Sequence, residues 1–214
     1  GTYGGGVAIN TSSSQDVAHP KFINCIIAHN NTRATGTGGG VLINGKLASA
    51  TLTNCIIFDN QQLRINQGAG GIYATRWGDA PDPHGALTIT NSIIWGHIYD
   101  GIATQFKDDQ VTITYSNIED GWEAGGEGNI NANPLFANPG EGDFRMLSSS
   151  PSIDAGNNDA IQEPLDLNGE ERIQDDNNDG NPVVDMGVYE GGIPTPRYFV
   201  NHLAVDPGED DPDR

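Results

Sequence analysis

The run Asp175-Asp176-Asn177-Asn178-Asp179-Gly180, followed by Asp185, is the densest group of carboxylates and carboxamides in the chain. A calcium loop needs hard oxygen ligands at alternate positions and a glycine at the sixth place for a sharp turn. Counted from Asp175, Asn177 and Asp179 take the third and fifth places and Gly180 the sixth. The twelfth is Met186, so Asp185 closes the set one residue early. The expected ligands are therefore Asp175, Asn177, Asp179 and Asp185, and the expected cofactor is calcium. Asp166, Asn168 and Glu170 repeat the pattern more weakly and also fit an Asx-type turn.

A second chemistry is sugar binding. The stretch Arg76-Trp77-Gly78-Asp79-Ala80-Pro81-Asp82-Pro83-His84 reads as a long surface loop, the usual place for recognition. Trp77 and Trp95 can stack on sugar rings, with Asp79 and Asp82 as hydrogen-bonding partners. The competing reading is that both Trp cover apolar edges of the fold. A polysaccharide lyase would need a Lys or Arg base beside cations that hold the substrate carboxylate. Lys21, Arg33, Lys46, Arg64, Arg76 and Lys107 are scattered at no common offset. A glycosidase needs two carboxylates across a groove, and spacing does not pair Asp59, Asp79, Asp82, Asp100, Asp108 or Asp109. The five His share no metal-ligand spacing. Asn10-Thr11-Ser12 and Asn30-Asn31-Thr32 are glycosylation sequons, with Asn10 and Asn30 as acceptors in a source that glycosylates.

These residues have to be carried by a repeat. Asn-Cys-Ile-Ile occurs at 24–27 and 54–57, returns as Asn91-Ser92-Ile93-Ile94, and survives as Tyr115-Ser116-Asn117-Ile118. In phase with it run Gly5-Gly6-Val7-Ala8-Ile9, Gly39-Gly40-Val41-Leu42-Ile43, Gly70-Gly71-Ile72-Tyr73-Ala74 and Asp100-Gly101-Ile102-Ala103. Short β-branched runs bounded by Gly and Asn read as strands, and no window carries a capped helical stripe. Phe22, Leu52, Ile89 and Ile113 stand two residues before the repeated Asn or its equivalent; Ile27, Ile57, Ile94 and Ile118 stand three after. That separation is odd, so a straight strand would expose one of each pair. A left-handed bend at the Asn resets the parity. It turns Cys25, Cys55, Ser92 and Ser116 inward as a column, with the Asn side chains free to bond along their own column. The Cys pair is expected to be free thiols rather than a disulfide. The fold expected is all-β, a right-handed parallel β-helix with an irregular C-terminal capping module.

After Asp120 the repeat fades. Gly128-Asn129-Ile130-Asn131-Ala132-Asn133-Pro134-Leu135-Phe136, Gly142-Asp143-Phe144-Arg145-Met146-Leu147 and Ser150-Pro151-Ser152-Ile153-Asp154-Ala155-Gly156 follow. Asp166-Leu167-Asn168-Gly169 and Val184-Asp185-Met186-Gly187-Val188-Tyr189-Glu190 complete the series. This series resembles the end of secreted microbial right-handed β-helix proteins of the choice-of-anchor type. The resemblance implies the fold and an extracellular or cell-surface address, and no single activity. The expected divisions are 1–120 as coils, 121–193 as capping module, and 194–214 as linker, lone strand (197–205) and acidic tail. Leu135, Phe136, Phe144, Met146, Leu147 and Ile153 are expected to lie over the end of the last coil.

Net charge is -19 across 214 residues, which opposes nucleic acid and anionic membrane as partners. No run of 18 apolar residues occurs, so membrane insertion through a helix is not expected. The chain carries no signal peptide and opens on Gly1 inside a repeat, as a processed or trimmed product would. The resulting expectation is a non-catalytic extracellular structural or adhesive module. Its partners would be other copies, joined head to tail as a surface filament through 197–205, or cell-surface glycans. The alternative is a polysaccharide-acting enzyme, lyase or glycosidase, or a carbohydrate-binding module.

Overall fold

The computed structural model describes residues 5–12, 16–32, 37–45, 47–63, 68–75, 85–106 and 110–194. Among them the chain is all-β, with two short 3-10 turns, and no helix is long and apolar enough to cross a membrane. The first repeat gives β1 (Val7–Asn10), β2 (Lys21–Ile23), β3 (Ile26–Ala28) and the two-residue β4 (Asn31–Thr32). The second gives β5 (Val41–Asn44), β6 (Ala50–Thr53), β7 (Ile56–Phe58) and β8 (Gln61–Gln62). The third gives β9 (Ile72–Thr75), β10 (Leu87–Thr90) and β11 (Ile93–Trp95), the fourth β12 (Ile102–Thr104), β13 (Val111–Thr114) and β14 (Asn117–Ile118). Like joins like, in three parallel sheets ordered β1-β5-β9-β12, β2-β6-β10-β13 and β3-β7-β11-β14. Register is copy on copy: Phe22 faces Leu52, Leu52 faces Ile89, and Ile89 faces Ile113.

The left-handed corner is present at every copy. Asn24, Asn54 and Asn91 have φ of 52°, 50° and 51°, and Tyr115 takes the same turn at 47°. Asn enters this region at low cost because its short polar side chain is tolerated there, whereas Tyr does so against its preference. A second left-handed column stands five residues on, at His29, Asp59, Gly96 and Asp120. Between the two corners each strand is short, and Ile27, Ile57, Ile94 and Ile118 all enter one buried core with Leu52, Ile89 and Ile113.

The small-residue column replaces the hydrogen bonds that the corner breaks. The N–H of Cys55 donates to Ser92 Oγ at 3.1 Å, and that of Ser92 donates to Ser116 Oγ at 3.2 Å. The N–H of Ser116 reaches Asn129 Oδ1 at 3.1 Å. Ser92 and Ser116 pass their own protons to the carbonyls of Thr90 and Thr114, both at 2.9 Å. Cys25 and Cys55 are free thiols in the same column. Hydrogen bonding from Cys55 lowers the Cys25 thiol to about 6, while the same contact and burial push Cys55 up.

Two expectations are corrected. The corner Asn side chains do not bond one another; they turn outward, where the C-terminal module offers carbonyls. Asn24 Nδ2 donates to Leu165 O at 2.9 Å, Asn54 Nδ2 to Asp185 O and Gly187 O, both at 3.3 Å, and Asn91 Nδ2 to Asn157 O at 3.1 Å. Nor do Phe136, Phe144, Met146 and Ile153 lie over the end of the stack, where only the start of the module stands. Residues near Ile130 add a partial fifth layer, with Ile118 N donating to Ile130 O and Ile130 N to Ser116 O, both at 2.9 Å. The chain then runs back along the flank as β15 (Phe136–Asn138), β16 (Asp143–Leu147) and β17 (Gly192–Ile193).

The reason is the isoleucine doublet. Successive side chains of a strand point to opposite faces, so Ile57 and Ile94 face the inner core while Ile56 and Ile93 face out. The outer row needs apolar cover. Phe144, Met146, Met186 and Val188 supply it, with Phe136 and Ile153 at the margin, in a second buried cluster against Ile56 and Ile93. Phe58, Phe136 and Phe144 meet edge to face with centroids 5.4–5.6 Å apart. Leu135 and Leu147 line a shallow groove with Phe58 and Trp95 rather than a cap. Residues 197–205, expected as a lone strand, lie outside the described residues.

Because both isoleucines are covered, Ile93→Ala should destabilise as much as Ile94→Ala, by about 2–5 kcal/mol each in urea denaturation. An Ile93→Ala chain as stable as the parent would show that the flank is not buried.

Candidate metal centre

The module is bonded to the stack through Asn24, Asn54 and Asn91, and within it backbone N–H groups converge on one buried carboxylate, Asp185. Within the loop from Asp175 to Gly180, Asp175, Asn177 and Asp179 accept from nearby backbone N–H groups. Asp175 accepts from Asp179 N at 3.0 Å and Gly180 N at 2.9 Å, Asn177 Oδ1 from Asp179 N at 2.8 Å, and Asp179 Oδ1 from Asn181 N at 2.9 Å. These are Asx-type closures of a tight turn. Of the four expected ligands, Asp185 alone joins a convergent carboxylate group, and its companions are Asp154 and Asp176. Each of the three offers an oxygen within 4.8 Å of the other two.

Backbone geometry sets that convergence. Asp154 stands in the left-handed region at φ 50°. Its N–H donates to Asp185 Oδ1 at 2.7 Å, and its own Oδ2 accepts from Asn177 N at 2.7 Å. Asp185 Oδ2 accepts from Gly191 N at 2.9 Å. Asp176 Oδ2 is buried with no hydrogen-bond partner. Burial, and then the charges of Glu190, Asp176 and Asp154, push Asp185 up to about 8; burial and Asp154 raise Asp176 as well. Three carboxylates this close repel one another unless protons or a cation intervene. An all-oxygen set of this kind suits a hard divalent ion rather than a soft one, and these three aspartates can hold a metal ion.

Arg172 fastens this centre to the first corner. The residue is 2 % exposed, and its guanidinium donates to Glu190 Oε1 at 2.7 Å, Gly187 O at 3.1 Å, Val188 O at 3.2 Å and Asn24 Oδ1. Glu190 Oε2 accepts from Asp185 N at 3.1 Å. Burial raises Glu190 to about 7 against the pull of Arg172. Asp166 makes the turn expected of it, accepting from Asn168 N at 2.7 Å and Glu170 N at 2.9 Å, and also receives Glu190 N at 2.9 Å. Arg172 escaped the sequence reading, since nothing in its spacing marks it.

Trp95 is half-buried and packs against the second core beside Phe58, so it covers an edge of the sheet. Trp77, Asp79 and Asp82 lie outside the described residues. Asn10 is exposed and accepts from Asn44 Nδ2 at 3.0 Å. Asn30 Nδ2 is engaged, donating to Ala28 O at 3.1 Å and Asn60 Oδ1 at 2.9 Å. Comparison of the chain with family models, curated proteins and solved structures gave no match.

Removing one partner from the Arg172–Glu190 pair leaves a buried charge alone. Arg172→Met should therefore cost about 3–5 kcal/mol in chemical denaturation, and Arg172→Met with Glu190→Gln should recover part of it. The pH dependence has a definite sign. The folded-state pKa of Asp185 lies above that of an unfolded carboxylate, so its contribution is full below about pH 4 and is lost as pH rises toward about 8. In chelator, thermal scans should show a lower melting temperature at pH 8 than at pH 5, and Asp185→Asn should reduce that slope.

Proposed function

We propose that this chain is a right-handed parallel β-helix that works as a non-catalytic structural or adhesive module on the extracellular or cell-surface side, with calcium as the ion at Asp154, Asp176 and Asp185. The observation that carries the reading is that one module is bonded to three successive layers, through Asn24, Asn54 and Asn91. A coil on its own resists shear between layers through its strand ladders and its core. A brace that spans three layers couples them, so that a layer cannot open without also breaking its bond to the module.

Calcium fits because it accepts carboxylate and carbonyl oxygens in flexible geometry, and extracellular calcium supports sites of modest affinity. The orphaned Asp176 Oδ2 and the raised Asp185 both gain from a cation. Partners on this reading are further copies or surface glycans.

Calcium titration of the chelated protein should raise its melting temperature by roughly 5–10 °C at a hundredfold excess over Kd, and Asp185→Asn should abolish the rise. No shift with calcium would remove the ion from this reading. Cleavage of any member of a panel of acidic and neutral polysaccharides by the purified chain would replace the structural reading with the enzymatic one.

A further inference from the structure

The fifth layer of the stack is incomplete, and the gap has a shape. Above β13 and β14 the chain adds main-chain partners, Glu127 O to Tyr115 N at 2.8 Å and Ile130 O to Ile118 N at 2.9 Å. Above β12 no described strand follows, so β12 ends its sheet. In the layers below, N–H groups donate upward: Gly40 to Gly70 O at 2.8 Å, Gly70 to Asp100 O at 3.0 Å and Ile72 to Gly101 O at 2.8 Å. Asp100 and Ile102 are the next equivalents in that series and stand at the head of the sheet. Ile102, Ala103 and Thr104 are all half-exposed, whereas Ile72 and Ala74 beneath them are buried.

An open groove of about 530 Å³ occupies this place, between β12 and the loop 118–124. Ile102, Ile118 and Trp122 form its apolar floor, and Trp122 also packs on the inner core. Asp100, Glu119, Asp120 and Glu123 line it, and among the described residues no Lys or Arg does. Glu119 is anchored, accepting from Gly96 N at 2.7 Å and His97 N at 3.2 Å, while Asp100, Asp120 and Glu123 are exposed.

We infer that this groove binds an extended, lysine- or arginine-bearing peptide segment of a partner protein, which adds to β12 as the missing strand. Three features select that occupant. A strand edge supplies main-chain donors and acceptors in the spacing that only another extended backbone matches. The floor takes an apolar side chain, and alternate residues of a strand then point to the carboxylate rim. A rim whose described charged residues are all carboxylates attracts cations, so the outward side chains are basic. The groove is separate from the aspartate centre, and the inference stands whether or not calcium binds there.

The test uses the full chain and an end-blocked Val-Lys-Val-Lys-Val-Lys-Val peptide, with binding followed by titration calorimetry at low and high salt. Saturable binding is expected. It should weaken at least tenfold in Asp120→Asn/Glu123→Gln, in a peptide N-methylated along one edge, and in one with Glu for Lys. Asp120 and Glu123 are surface residues, and a melting curve of the double variant that matches the parent confirms that its fold is intact. No binding, or binding indifferent to the rim variant or to N-methylation, would overturn the inference. So would tighter, competing binding of a glucosamine oligosaccharide, which would assign the groove to a sugar. Tighter, competing binding of a synthetic 197–205 peptide would likewise assign it to the chain's own segment.

Discussion

The left-handed corner at Asn24, Asn54, Asn91 and Tyr115 is the constraint on which the rest of this molecule depends. It resets side-chain parity, so that the residue two before it and the residue three after it both enter the core. Without it, the odd spacing would expose one aliphatic per copy. The corner also interrupts the regular ladder, and the next layer's hydroxyl at Ser92 or Ser116 accepts the N–H that would be left unsatisfied. An unpaired buried N–H costs about as much as several methylene groups contribute, so the Ser column and the Asn corner belong together. Tyr115 shows that the stack imposes the turn even where the side chain disfavours it.

The corner has a second consequence outside the core. Its Asn side chains project from the stack in a column with amide donors free, and the outward isoleucines run beside them. The C-terminal module answers both. Its backbone carbonyls take the amides, and its Phe and Met side chains cover Ile56 and Ile93. Arg172, Glu190 and Asp185 are buried beside this seam, where their charges are withdrawn from water, while Asp154 and Asp176 are half-buried. Buried charge of that kind is weak evidence for net stability and stronger evidence for a fixed docking geometry. Arg172 reaches Asn24 in the first layer and, through Glu190, the backbone of Asp185, so the fastener and the metal centre form one connected network.

Much of the stack was legible in the sequence. The strands, their order, the corner, the inner isoleucines and the inward Cys and Ser column all follow from spacing, because each is set by residues a few positions apart. The doublets at 26–27, 56–57 and 93–94 also carried the sign of two-sided burial, since two adjacent apolar residues in one strand cannot face the same way. The identity of the cover was not legible. The Asn column was read as bonding to itself because its true partners, 131 and 141 residues away for Asn54 and Asn24, leave no periodic trace. Likewise the spacing from Asp175 suggested a contiguous calcium loop, and Asp175, Asn177 and Asp179 do form one tight turn closed by backbone N–H groups. Asp185 meets Asp154 and Asp176 instead, because tertiary packing and not loop length sets that distance.

The sequence alone determined that this chain stacks short parallel strands around a thin aliphatic core, because periodic hydrophobicity and backbone preference act locally and repeat. Tertiary structure alone decided that β15 to β17 run along the flank instead of closing the end, and that Asp154, Asp176 and Asp185 come together. Such contacts depend on complementarity between surfaces that exist only once the layers are in place. No local pattern in the chain encodes which of two apolar surfaces, the end or the side, will be covered first.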